Sequence, residues 1–115
     1  MANLWFYAFI GLFIILIGGT LNVMVMDAND CEMPIRISGG IPMYNQACYL
    51  PFEDFQEVNL PILADIIDIK TGRYIHHVSI GDILAVSGGL CLIYILVLIA
   101  VQHNKTQREN ILKVK

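Results

Sequence analysis

The chain has 115 residues, 57% of them hydrophobic and only 15% charged, with a formal net charge of −3 and a mean hydropathy of +0.64. It is too apolar for an ordinary small soluble domain. Its acidic balance and lack of a basic face in the central segment give no support to nucleic-acid binding.

The apolar residues are segregated. Leu4 to Met26 carries no charge over 23 residues, which at about 1.5 Å per residue is enough to cross a hydrocarbon core of ~30 Å. Its 13 Leu, Ile, Val and Phe residues favour insertion by roughly 4 to 8 kcal/mol, before the cost of Asn22. A cleaved signal peptide is the rival reading. The length of the run, the absence of a preceding basic residue and the lack of a small-x-small site after it favour a retained signal-anchor helix over residues 1–26. Trp5, Phe6, Tyr7 and Phe9 cluster at one end, where amphipathic rings prefer the headgroup layer. Gly11, Ile15, Gly18 and Asn22 share one helical face. Asn22 is the strongly polar side chain of the span, and its expected hydrogen-bond partner is Ser87 of the second span, at comparable depth, or a group of a partner subunit. Lining an ion path is the less favoured role for Asn22.

Residues 27–79 form a connection too long to be passive. The stretch PFEDFQEV reads as a short amphipathic helix with Phe52 and Phe55 on one side and Glu53, Asp54 and Glu57 on the other. The stretch ADIIDIKTGRYIHHVSI reads as two extended pieces around a turn that uses Gly72. RISGGIP and the four prolines argue for irregular chain elsewhere. Cys31 and Cys48 lie in this segment, and a bridge between them and a pair of free thiols are equally compatible with an oxidising compartment. His76 and His77 are the most tempting chemical residues, with Asp65, Asp68 and Asp82 as conceivable oxygen partners. Adjacent side chains of an extended chain face opposite ways, so the two are weak metal candidates and no metal site is assigned.

Ser79 and Asp82 fit an S-x-x-D helix start. A second uncharged run, Ile83 to Val101, follows over 19 residues, giving a second span at residues 80–102. Gly81, Ala85, Gly88 and Leu92 share one face. Gly18-Gly19 and Gly88-Gly89 fall at similar distances from the outer membrane surface and are expected to meet. Residues 103–115 hold Lys105, Arg108, Lys113 and Lys115 against Glu109, and the positive-inside rule places this tail in the cytoplasm. Two crossings put the N-terminus there too, and the segment 27–79, with eight acidic against three basic residues, outside.

Residues GGTLNVMVMDANDCEMPI, followed after an insert by ADIIDI and VSIGDILAVSGG, resemble the C-terminal half of an uncharacterised bacterial membrane-protein family, a domain of unknown function. The matching positions are Asn22, Asn29, Met33, Pro34, Ser79, Gly81 and Asp82. The resemblance implies a bacterial integral membrane protein and transfers no activity.

The expected fold is therefore membrane all-α: an antiparallel two-helix transmembrane hairpin with a small irregular extracytoplasmic cap containing a short helix and a β-hairpin. The sequence offers no nucleophile with a base and no phosphate-cradling loop, and an enzyme is not expected. No cofactor and no small-molecule substrate is assigned. The leading expectation is an accessory or structural subunit of the plasma (inner) membrane, partnered by the lipid bilayer and by other integral membrane subunits. Alternatives are an electron-transfer subunit lending an interfacial ligand from His76, His77 or His103, and a phage-type pore former.

Overall fold

The computed structural model describes residues 2–37, 41–42 and 48–115. Helix α1 spans Ala2–Asp27 and helix α2 spans Ile80–Val114. Both are long and apolar enough to cross a membrane. Only 17% and 11% of their most apolar windows are buried inside the protein, the reverse of a core helix in a soluble domain.

The antiparallel helices touch where side chains are absent. A methyl group on Gly18 would meet the backbone of Gly81 and, at 2.7 Å, the amide nitrogen of Ala85. One on Gly88 would lie 2.7 Å from the carbonyl oxygen of Gly11. Gly11 packs in turn on Gly88 and Leu92. The expected meeting of Gly18-Gly19 with Gly88-Gly89 is therefore corrected by roughly two helical turns: Gly18 faces Gly81 and Ala85, and Gly11 faces Gly88. A hydrogen bond from Ser79 to Asn22 and one from Asn22 to Asp82 set this register. They also replace the expected Asn22 to Ser87 contact, since Ser87 is exposed.

Helix α2 continues to Val114 rather than ending near Gln102. The stretch QHNKTQRENILKV contains no Gly or Pro and is rich in helix formers, so the change in polarity at residue 102 does not interrupt the backbone hydrogen bonding.

Between the helices, the cap is built more from strands than the sequence suggests. Strands β1 (Met33–Arg36) and β3 (Tyr49–Phe52) pair in parallel, with Ile35 opposite Pro51. Strand β2 (Ile41–Pro42) runs parallel to β5 (Tyr74–Val78), which pairs antiparallel with β4 (Ile67–Thr71). Thr71 faces Tyr74 across a two-residue loop, and Gly72 supplies the positive φ of 63°. That value at the first loop position is what a type II′ turn requires.

The helix expected within PFEDFQEV is reduced to a single 3-10 turn, Phe55–Glu57, capped by the Asp54 carboxylate. Phe52 is drawn instead into β3, where it is 1% exposed. It joins Val25, Met33, Val58 and Ala64 in a core that includes the last turns of α1. Burying Phe52 in this core outweighs the weak helical preference of a segment only eight residues long.

The exit of α1 is fixed by a reciprocal amide clasp. Asn29, 6% exposed, donates through Nδ2 to the carbonyls of Val25 at 2.7 Å and Asn59 at 2.9 Å, and its Oδ1 accepts from the Asn59 amide at 2.9 Å. Asn59 Nδ2 donates to the Ala28 carbonyl at 2.8 Å. Asp30, Cys31 and Leu60, on the two sides of this clasp, adopt left-handed φ values of 55°, 65° and 52°. The Cys31 amide closes back on the Met26 carbonyl at 2.8 Å, as at a Schellman helix end.

Two outcomes follow for stability in detergent. Gly18→Ala and Gly81→Ala place a methyl group against backbone and are expected to cost about 1 to 3 kcal/mol. Gly19→Ala and Gly89→Ala, where nothing lies within 4 Å, should be neutral or stabilising by about 0.5 to 1 kcal/mol. Equal effects at all four sites, in thermal or denaturant unfolding, would refute the packing register. Asn29→Ala should lower stability by about 2 to 3 kcal/mol, because buried backbone partners lose their bonds.

Candidate functional site

The cap meets the helix hairpin around a cleft of about 240 Å³ lined by Asn22, Met26, Met33, Cys48, Tyr49, Asp65 and Asp82. Each element contributes for a local reason. Asn22 and Met26 occupy the last turns of α1, Met33 opens β1, Tyr49 opens β3 and Asp82 lies in the first turn of α2.

One wall is a closed polar ring. Ser79, fully buried, is the N-cap of α2: its Oγ accepts from the Asp82 amide at 3.0 Å, and its own amide donates to Asp82 Oδ2 at 3.0 Å. Asn22 joins this capping box from α1. Its Nδ2 donates to Asp82 Oδ1 at 2.7 Å, and its Oδ1 accepts from Ser79 Oγ at 2.7 Å. Both Asp82 oxygens are thus held, in the position where a carboxylate also favours the positive end of a helix dipole.

Asp65 is the opposite case. Its backbone is fastened to β1, donating to the Pro34 carbonyl at 2.9 Å and accepting from the Arg36 amide at 3.1 Å. Its side chain is enclosed, the residue being 5% exposed, and Oδ1 has no hydrogen-bond partner among the described residues. Burial first, and the Asp82 charge second, push the Asp65 carboxyl up to about 7. Burial, followed by the charges of Asp65, Asp82 and Cys48, also raises the Tyr49 phenol. The cleft therefore combines one fixed carboxylate with one carboxyl that exchanges its proton near neutral pH.

The other residues singled out from sequence lie elsewhere. His76 is exposed, opposite Ile69, whereas His77 Nδ1 sits 2.9 Å from Asp68 Oδ1 across the β4 and β5 pair. The histidines point apart, and Asp65 joins the cleft rather than either of them. Among the described residues no group of three or more His, Cys, Asp or Glu side chains is arranged to hold a metal ion. Cys31, Cys48 and Cys91 are exposed free thiols in this structure. Gly11, Gly18, Asn22, Gly81, Ala85 and Gly88 come together at the helix contact described above. Sequence reasoning missed Tyr49 and Asn59, and considered Asp65 only beside the histidines. The available signal was an acidic residue embedded in the apolar run PILADII.

Residues 2–95 match a family of unknown function (DUF5317). The chain belongs to this family. The match spans α1, the entire cap and the first half of α2, and so includes every residue of the cleft. No curated protein and no solved structure matches the chain.

The Asp65 carboxyl has a stability consequence with a definite sign. Because the folded protein holds this proton more tightly than the unfolded chain, folding stability is greatest below about pH 4 as far as this group is concerned. It falls as the pH rises and levels off above about 7. A displacement of roughly three pH units corresponds to at most about 4 kcal/mol. Asp65→Asn should remove this component and melt higher than the parent at pH 8, the advantage shrinking toward pH 5. Parallel melting curves for the two proteins across that range would show that Asp65 is not held in this way.

Proposed function

We propose that this chain is a two-span integral membrane protein of the bacterial plasma membrane, acting as an accessory subunit of a larger membrane assembly. The observation that carries the reading is the group of exposed apolar residues in the last turns of α2. Helix α2 continues to Val114, roughly 13 residues or about 20 Å beyond the close of its uncharged run at Val101. On this stem Ile111, Leu112 and Val114 are 58%, 72% and 89% exposed. Lys105, Arg108 and Lys115 share a helical stripe with Val101 and Leu112.

Apolar groups on a helix that has left the hydrocarbon are not covered by lipid tails, and a docked protein element satisfies them. The basic residues favour a cytoplasmic stem in this reading, with the N-terminus on the same side and the cap, 27–79, outside. The exposed aromatic group Trp5, Phe6, Tyr7 and Phe9 then anchors the inner end of α1. The Asn29 network fastens Asn59 of the cap to the end of α1, and the Asn22 network fastens the end of the cap at Ser79 to α1. His77, engaged with Asp68, gives the electron-transfer alternative no added support.

Mild detergent extraction of the full chain from its native membrane is expected to bring down other integral membrane proteins in fixed ratio. Their yield should drop when Ile111→Glu and Leu112→Glu are introduced together. A chain that always runs as a lone monomer would overturn the reading. Orientation is checked with single-cysteine variants and a membrane-impermeant maleimide on intact cells: Cys31 and Cys48 should react, and Cys91 should not.

A further inference from the structure

We propose that the cleft between α1, α2 and the cap binds an organic ammonium group, with Asp65 as its principal anion and the fixed Asp82 carboxylate adding to the field. The first ground is the orphaned oxygen. Asp65 is 95% buried and lines the cleft, and its Oδ1 has no partner among the described residues. Native proteins rarely leave a buried carboxyl oxygen unsatisfied unless a proton, an ion or a ligand supplies the missing donor.

The second ground is the character of the other walls. Tyr49 contributes an aromatic ring, and Met26 and Met33 contribute polarisable thioethers, groups that favour an alkylammonium over a small hydrated metal ion. A hard divalent cation requires more oxygen donors than the cleft provides, because Asp82 already accepts from Asn22 and from the Ser79 amide. A volume of about 240 Å³ accommodates an ethanolamine-sized head with room for water.

The third ground is position, which rests on the membrane reading above. Asn22 and Asp82 mark the outer ends of the two spans, so the cleft lies at headgroup level. The ammonium can therefore come from an aminophospholipid headgroup or from a free amine in solution, and the recognition chemistry is the same for both.

Binding an ammonium requires the ionised form of Asp65. The titratable groups facing it are Asp82 from α2 and Tyr49 and Cys48 from the β3 region. None of them carries a positive charge that would compete with the ligand. Affinity should therefore strengthen from pH 5 to pH 8, and binding near neutrality should release protons.

The test uses the full chain purified in a detergent of uncharged, amine-free headgroup and reconstituted into nanodiscs. One arm compares discs of pure phosphatidylglycerol with discs containing phosphatidylethanolamine, reading retained lipid by native mass spectrometry. The other titrates ethanolamine hydrochloride into the phosphatidylglycerol discs and follows methyl resonances of Met26 and Met33. Saturable binding in either arm is expected, weakened by about tenfold or more in Asp65→Asn, as for the loss of a charged hydrogen-bond partner. Retention only from the first arm assigns a lipid headgroup, and saturation in the second assigns a free amine.

Binding in neither arm, or binding unchanged by Asp65→Asn when that variant keeps its helical circular dichroism, overturns the proposal. So does stoichiometric retention of a divalent metal that excludes ethanolamine. Because the measurement needs no other subunit, a chain that purifies alone yet binds ethanolamine would sink the accessory-subunit reading and leave this one standing.

Discussion

The interaction on which the rest of this structure depends is the hydrogen-bonded ring of Asn22, Ser79 and Asp82. Two apolar helices in lipid gain nothing from hydrophobicity by touching each other. Their glycine faces allow close approach, but at several registers, since Gly18 can meet any small residue on the partner. The ring removes that freedom. It joins an amide near the outer end of α1 to a capping box at the first turn of α2, so Gly18 is brought to Gly81 and Gly11 to Gly88. The capping box within the ring satisfies the Ser79 and Asp82 N–H groups at the start of α2, which has no preceding turn to accept them.

The cap follows from that fixed end. Val25 and Met26 in the last turns of α1 offer an apolar base on which Met33, Phe52, Val58 and Ala64 pack. A core of this size is marginal for an independent domain. The Asn29 and Asn59 clasp compensates by fastening residues 30 positions apart and holding Asp30, Cys31 and Leu60 in left-handed backbone that their side chains disfavour. Helix end, cap core and cleft are consequently one mechanical unit, and the cleft inherits its shape from both sides.

How legible this was in the sequence depended on the range of the interactions. Uncharged runs of 23 and 19 residues and the S-x-x-D start of α2 are local signals, and α1, α2 and the Ser79 cap are found where those signals lie. The turn at Gly72 is similarly local. The helical register was not legible, because depth counted from each helix end cannot include a hydrogen bond between residues 57 to 60 positions apart. Nor was the fate of Phe52, whose burial depends on a parallel pairing with β1 across an intervening strand. The polarity change near Gln102 was visible but misleading: it marks where lipid is expected to end, and helix propensity continues beyond it.

Asp65 is where local and global requirements conflict. A hydrophobic residue at this position would retain the backbone bonds to Pro34 and Arg36, which do not involve the side chain, and would avoid enclosing a carboxyl beside the charge of Asp82. Sequences that specify one fold generally avoid such a choice, and departures from that consistency concentrate at sites of function. The conflict is also directional. The polar side chains of the ring are satisfied by neighbours built into the fold, whereas Asp65 faces the cleft with an oxygen that has no partner among the described residues. A group that supplies the missing donor converts the least stable feature of the cap into an attractive one. The physical problem at Asp65 and the functional question about the cleft are therefore the same problem.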